Sequence, residues 1–217
     1  MIAIICAMDE EAKGLVDDTA NRVEHEIGGL KFYEGELCGQ KVVISGCGVG
    51  KVCAAAVTAV AIEKFAPQLV INSGVCGGTP PLRQGDVVVP IKAVEHDYYA
   101  PDEPTKYYET DKVASKTLID SCAALGFAVK ECVIATGDAF IDKPEKVKEL
   151  KDKFGAEAFD MESAAIAKVA AMFGVGCVLI RSVSDNGVDD NMKSFYEFLS
   201  EAAKRSQLVV ERTLKNL

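Results

Sequence analysis

The sequence predicts an α/β fold: a single domain whose central mixed β-sheet is flanked by helices. Three observations carry this. Apolar runs of strand length recur at 2–7, 30–37, 41–46, 68–73, 86–95, 127–135 and 176–183, and helical patterns fall near 9–18, 50–64, 111–125, 144–153, 160–173 and 193–215. The strands crowd toward the N-terminal part, joined by short turns such as Gly28-Gly29 and Cys38-Gly39-Gln40, whereas the remainder alternates strand with helix, so the sheet should be mixed. No Pro/Ser-rich linker, low-complexity tract or internal repeat divides the 217 residues, which fit one large domain with a substantial core.

In chain order, IAIICAM is a short buried strand that runs into an acidic helix, DEEAKGLV. On that helix Met8, Glu11, Ala12 and Leu15 share one face while Asp9, Glu10, Lys13 and Asp17 fall toward water, so Glu11 is a carboxylate pointing inward. The helix near 50–64 is apolar nearly all round at its Ala-rich centre, which predicts cover by the sheet and by a second subunit. His96 to Lys112, HDYYAPDEPTKYYETDK, is the one long irregular segment and is expected to be a surface or partner-facing loop.

In AFDMESAAIAKVAAMF, Ala165, Ile166, Val169 and Phe173 follow Glu162 at helical spacings of three, four, seven and eleven. That spacing starts Glu162 on the apolar stripe; the plainer alternative is a first turn whose acid merely complements the helix dipole. GVGCVLIRSVSD is a continuous apolar run of the fully buried parallel type, interrupted by Arg181 and closed by Ser184-Asp185. Buried carboxylates need a partner or a job, and three inward acids with one arginine indicate a site.

Composition narrows the ligand. A net charge of -9 disfavours nucleic acid and anionic membrane as partners, because both demand clustered Lys and Arg, and leaves a small molecule as the expected ligand. The opening MIAIICAM lacks a basic region and is followed at once by Asp9-Glu10-Glu11, unlike a signal peptide, and no stretch approaches the length of a membrane span. Eight cysteines sit mostly within apolar runs and form no C-x-x-C pair, so they are expected to be reduced core residues of a cytoplasmic protein. With only His25 and His96, no metal centre is expected.

The anomalies share a location. Met8 and Glu11, Ser73 to Gly78, Gly137 to Ile141, and Ser184-Asp185 each lie just beyond the carboxyl end of a predicted strand, the edge along which ligands collect in open α/β sheets. GCGVGK (Gly46 to Lys51) and SGVCGG (Ser73 to Gly78) are either phosphate cradles or tight strand-to-helix turns; neither matches a Walker loop.

Eight motifs in order carry a family resemblance: CAMDEE (Cys6 to Glu11), GCGVGKV (Gly46 to Val52), INSGVCGG (Ile71 to Gly78), GDVVV (Gly85 to Val89), His96-Asp97, TGDAFI (Thr136 to Ile141), DMESAAIA (Asp160 to Ala167) and RSVSD (Arg181 to Asp185). From end to end the sequence resembles the 5′-methylthioadenosine/S-adenosylhomocysteine nucleosidases of the purine nucleoside phosphorylase superfamily. The resemblance implies a nucleoside phosphorylase-like fold, with Asp185, oriented beside Ser184, protonating purine N7 and Glu11 activating the attacking water. It implies that Glu162 accepts hydrogen bonds from the ribose hydroxyls and that Met161 packs on the ribose. Phe140 would stack on adenine, the backbone of Ile141 would read its edge, and Phe195, Met8 and Val49 would line the 5′-thioalkyl pocket. Arg181 would order the acidic groups and water. It also implies a homodimer in which the partner's 96–108 region closes the pocket, and no metal or organic cofactor.

The chemistry suits these residue types. Breaking an N-glycosidic bond sends charge into the base and leaves a cation-like sugar, so a proton donor at the purine and anions near the ribose lower the barrier. One carboxyl must then hold its proton while another stays ionised, the division of labour also used in glycoside hydrolysis. Three departures from the family stand out: Val75 in place of a serine, Asp160 in place of a glutamate, and a shorter Tyr98 to Lys112 segment. The rival activities are a phosphorylase using phosphate as nucleophile, a nucleosidase for another nucleoside such as 6-amino-6-deoxyfutalosine, and a non-catalytic nucleoside-binding module.

Overall fold

The computed structural model describes residues 1–185 and 191–217, with backbone alone over 191–194. Its elements are β1 (Ile2–Cys6), α1 (Asp9–Asp17), β2 (Ala20–Ile27), β3 (Leu30–Leu37), β4 (Gln40–Gly46), α2 (Lys51–Phe65), β5 (Leu69–Gly78), β6 (Val87–Glu95), β7 (Tyr107–Glu109), α3 (Lys112–Ala124), β8 (Val129–Thr136), α4 (Pro144–Phe154), β9 (Ala156–Asp160), α5 (Ser163–Met172), β10 (Gly176–Asp185) and α6 (Asn191–Leu214). The predicted α/β class with a mixed sheet is observed.

A single ten-stranded sheet runs β10-β6-β8-β9-β5-β1-β4-β3-β2, with β7 paired to β6. Because β10 bonds to β5 as well as to β6, the strands β10, β6, β8, β9 and β5 close on themselves, and β1, β4, β3 and β2 extend from that ring as an open wing. The pleat sorts side chains onto two faces. Along β1, Ala3 and Ile5 join the core under α2 and α5, while Ile2, Ile4 and Cys6 join the core under α1, α3 and α6. Each fully buried Ile or Leu contributes about 1.5–3 kcal/mol, so both faces hold the sheet to its helices.

Several elements differ from the pattern-based expectation. The helix predicted over 160–173 begins only at Ser163, because Ala156–Asp160 is drawn into the sheet as β9 between β8 and β5. The strand predicted over 68–73 continues to Gly78 and the one over 176–183 to Asp185, since the two are paired in parallel along almost their whole length. Ser73 to Gly78 and Ser184-Asp185 are therefore strand residues, not loops beyond strand ends. β2 was missed because ANRVEHEI, an edge strand bonded to β3 alone, is largely exposed and lacks apolar alternation. Among the described residues no helix is long and apolar enough to cross a membrane.

Candidate active site

A cleft of about 270 Å³ opens where β1, β5, β9 and β10 end beside α1, α5 and α6. Glu11, Asp160, Glu162 and Asp185 reach it, and most of the remaining lining is apolar: Met8, Val49, Val75, Phe140, Ile141, Met161 and Phe195 among others. No described lining residue is a Lys or Arg.

Glu11 owes its placement to local sequence. Met8 is the N-cap of α1 with extended backbone, which makes Glu11 the third helical residue, and its side chain folds back so that Oε2 accepts from the N–H groups of Ala7 at 2.9 Å and Met8 at 3.0 Å. The third contact is tertiary: the Val75 N–H donates to Oε1 at 2.8 Å. Glycine is required next door, because a Cβ on Gly74 would lie 2.9 Å from the Glu11 carboxyl carbon. Burial pushes the Glu11 carboxyl up, while the positive charge of Arg181 and the three N–H donors pull the other way. Burial wins on balance, so the Glu11 pKa is raised while three N–H donors fix the orientation of its carboxyl in the apolar wall.

Glu162 does not sit on the stripe of a helix; it is the N-cap of α5, at φ -133° and ψ -37°, and its buried carboxylate accepts from the Gly50 N–H at 2.8 Å. Its pKa is pushed up to about 7, first by burial and then by the charge of Asp160, against the pull of the Gly50 N–H and Arg181.

Arg181 is expected to order the acidic groups and water. It is buried behind the cleft and does not line it, since its guanidinium is consumed by Asp160 (Nη2 to Oδ2, 2.8 Å), Ser163 Oγ (2.8 Å), the Asn72 side chain and the carbonyls of Asn72 and Ile180. Asp160 is the partner that sequence reasoning left out of the site. Its other oxygen accepts from Thr136 Oγ1 at 2.6 Å, so this one carboxylate ties β8, β9, α5 and β10 together. The signal was present: an arginine inside an apolar strand demands a carboxylate. Arg181 acts on Glu11 and Glu162 through its charge.

Asp185 lies at the end of β10, 2% exposed, and accepts from Ser184 Oγ at 3.0 Å; that hydroxyl also reaches the Cys76 carbonyl, at 3.1 Å. Ser184 is fully buried and does not itself line the cleft. Gly77 leaves room for the Asp185 carboxylate, which would be 3.2 Å from a Cβ there. The Phe140 and Phe195 rings meet edge to face at 5.7 Å, and Tyr196, not foreseen from the sequence, continues the wall at 5.3 Å from Phe195 while remaining 67% exposed. The two Gly-rich segments spend their N–H groups on the protein's own carboxylates, Val75 on Glu11, Gly50 on Glu162 and Lys51 on Asp138.

The partly closed mixed sheet and the carboxylate-bearing cleft at its strand ends define an α/β protein with a small-molecule site, and comparison with known proteins says of which class. A family model described as the phosphorylase superfamily matches residues 1–215. A 5′-methylthioadenosine/S-adenosylhomocysteine nucleosidase of Anoxybacillus flavithermus is 37% identical, over 100% of this chain and 98% of its own length. The crystal structure of the nucleosidase of that name from Neisseria meningitidis, in complex with methylthio-immucillin-A, superposes with a TM-score of 0.95 at 34% identity, covering 100% of this chain and 99% of that one. A futalosine hydrolase of Helicobacter pylori superposes at 0.94 with 29% identity, covering 100% and 97%. The chain belongs to the phosphorylase superfamily and, within it, to the 5′-methylthioadenosine/S-adenosylhomocysteine nucleosidase family.

Proposed function

We propose that this chain is an N-ribosyl hydrolase that cleaves the glycosidic bond of 5′-methylthioadenosine, S-adenosylhomocysteine or both and releases adenine. One observation carries the choice of water over phosphate: Glu11, held by three backbone N–H groups, stands in a cleft whose described lining has no cationic side chain. An anionic wall repels phosphate but suits a base that takes a proton from water. In this reading Asp185, steadied by Ser184, delivers a proton to purine N7 as the bond from N9 to C1′ breaks, and water adds to C1′ while Glu11 takes its proton. Glu162 holds the ribose hydroxyls and Met161 its face. Phe140 and the backbone of Ile141 hold the base, and Met8, Val49 and Phe195 receive the 5′ substituent.

The protein is further read as a cytoplasmic homodimer. None of 96–112 lines the cleft of its own chain, yet Asp97 is tied to Lys51 beside Val49 and Val52, and the ring of Tyr98 lies 5.1 Å from Lys168 on α5. The exposure of two apolar side chains in these segments, Val52 at 79% and Tyr99 at 84%, supports the reading of a second copy there. A monomer by light scattering at assay concentration would remove this part of the reading.

The deciding experiment incubates purified protein with 5′-methylthioadenosine with and without phosphate and measures free adenine. Adenine release without phosphate is expected; strict phosphate dependence with ribose 1-phosphate as product would replace hydrolysis by phosphorolysis, and no release would leave only binding. The Helicobacter pylori futalosine hydrolase likeness makes 6-amino-6-deoxyfutalosine the second substrate to assay.

A further inference from the structure

Lys51, Asp97 and Asp138 belong to motifs for which the reaction described above has no use, and none of the three lines the cleft. They nevertheless form one connected unit. Asp138 is gripped at both ends: its N–H donates to Asp97 Oδ2 at 2.9 Å and its carboxylate accepts from the Lys51 N–H at 2.8 Å. The Lys51 ammonium, 17% exposed, closes the triangle on Asp97 Oδ1 at 2.6 Å and lies 3.4 Å from Glu95, which is itself held by Lys168 at 2.8 Å.

Two neighbours make the arrangement directional. The residue before Lys51, Gly50, donates its own N–H to Glu162 at 2.8 Å, so consecutive amides at the start of α2 hold the ribose-facing carboxylate on one side and the base-facing turn on the other. Gly50 has a φ of +100°, and a Cβ there would lie 3.1 Å from Asp138 Oδ1, so the bridge has no slack for a larger residue. At the other end the His96 ring rests on Gly137, where a Cβ would run into it. Phe140 and Ile141, which line the cleft, follow Asp138 by two and three residues.

We infer that Lys51, Asp97 and Asp138 are positioning residues that set the base-holding turn, 138–141, at a defined distance from Glu162. The inference rests on the reading of the cleft given above. Cleavage needs the base and the ribose held in one geometry, and a base-holding turn that drifts gives up contacts to the purine that are made already in the bound substrate. The clamp acts on the base side, so its loss falls on affinity for the purine.

The test compares Lys51→Met, Lys51→Arg and Asp97→Ala with the unaltered protein. Lys51→Met and Asp97→Ala should lower kcat/KM for 5′-methylthioadenosine by about tenfold or more, mainly through KM, and weaken adenine binding by calorimetry, with Lys51→Arg recovering most of the loss. Amide hydrogen exchange over 137–142 should quicken in Lys51→Met and not in Lys51→Arg. Unchanged kcat/KM and adenine affinity in Lys51→Met would overturn the inference, as would a loss that Lys51→Arg fails to rescue and that follows global unfolding. If the unaltered protein released no adenine, the reading of the activity would fall, and the exchange measurement would decide the clamp by itself, unchanged exchange sinking it.

Discussion

The backbone N–H of Val75 donates to Glu11 Oε1 at 2.8 Å, joining a strand of the closed ring to the first helix across 64 residues of sequence. The contact uses the main chain, so Val75 holds the base whatever side chain it carries. The Val75 side chain thus faces the cleft without being needed to place Glu11.

Asp185→Asn keeps the shape of the proposed proton donor and removes its proton. Adenine release should fall by about two to four orders of magnitude, the usual worth of a general acid, with nucleoside binding still measurable by calorimetry. Glu11→Gln should behave alike, because an amide offers the Ala7 and Met8 N–H groups a poorer acceptor and cannot take a proton. Near-normal turnover in either variant would remove that residue from its role.

Val75→Ser adds a hydroxyl in the cleft without disturbing the N–H that holds Glu11. Arg181 is committed to Asp160, Ser163 and Asn72 and sits outside the cleft, so an added donor or acceptor for the water should raise kcat. One hydrogen bond is worth about 0.5–1.5 kcal/mol, so a gain of roughly two- to tenfold with little change in KM is expected. Steady-state kinetics showing no gain would mean that water is already held by Glu11.

Glu162, buried beside Asp160 and near Glu11 and Arg181, titrates at about 7 in the folded chain against an ordinary 4.5. The fold therefore favours the protonated form, and the stability this group contributes is fully present below about pH 4.5 and is lost as pH rises through about 7. Glu11, raised in the same direction, adds a similar slope, so the comparison must be with Glu162→Gln. The urea midpoint of the unliganded protein minus that of Glu162→Gln should decline between pH 4.5 and 7.5; a flat difference would refute the shift.

Arg181→Met leaves the Asp160 carboxylate, 2% exposed at its side chain, without its cation. Breaking a buried pair from one side costs about 3–5 kcal/mol, so a large drop in the urea midpoint is expected. Replacing both residues, Arg181→Met with Asp160→Leu, should recover part of it, and a single variant of unchanged stability would show that the pair does not hold the ring together.

Much of the site could be read from the chain alone, and the reason is periodicity. Helical spacing put Glu11 on the buried face, an acid closing an apolar run marked Asp185, and a predicted strand end placed Phe140 and Ile141 on the ligand-collecting edge; these are local patterns carried by neighbours in sequence, whereas Met161 came only with the family resemblance and Glu162 from a helical stripe that it does not occupy. What local pattern cannot carry is which strand pairs with which. The closure of β10 onto β5 and β6 turned Ser73 to Gly78 from an expected loop into a strand, and brought the Val75 N–H to Glu11. Pairing of Ala156–Asp160 with β8 and β5 shortened the predicted helix and made Glu162 an N-cap held by Gly50. Arg181 was legible as an anomaly, but only tertiary structure chose Asp160 as its partner and withdrew it from the cleft, because burial of a charge is settled by whatever long-range neighbour can satisfy it.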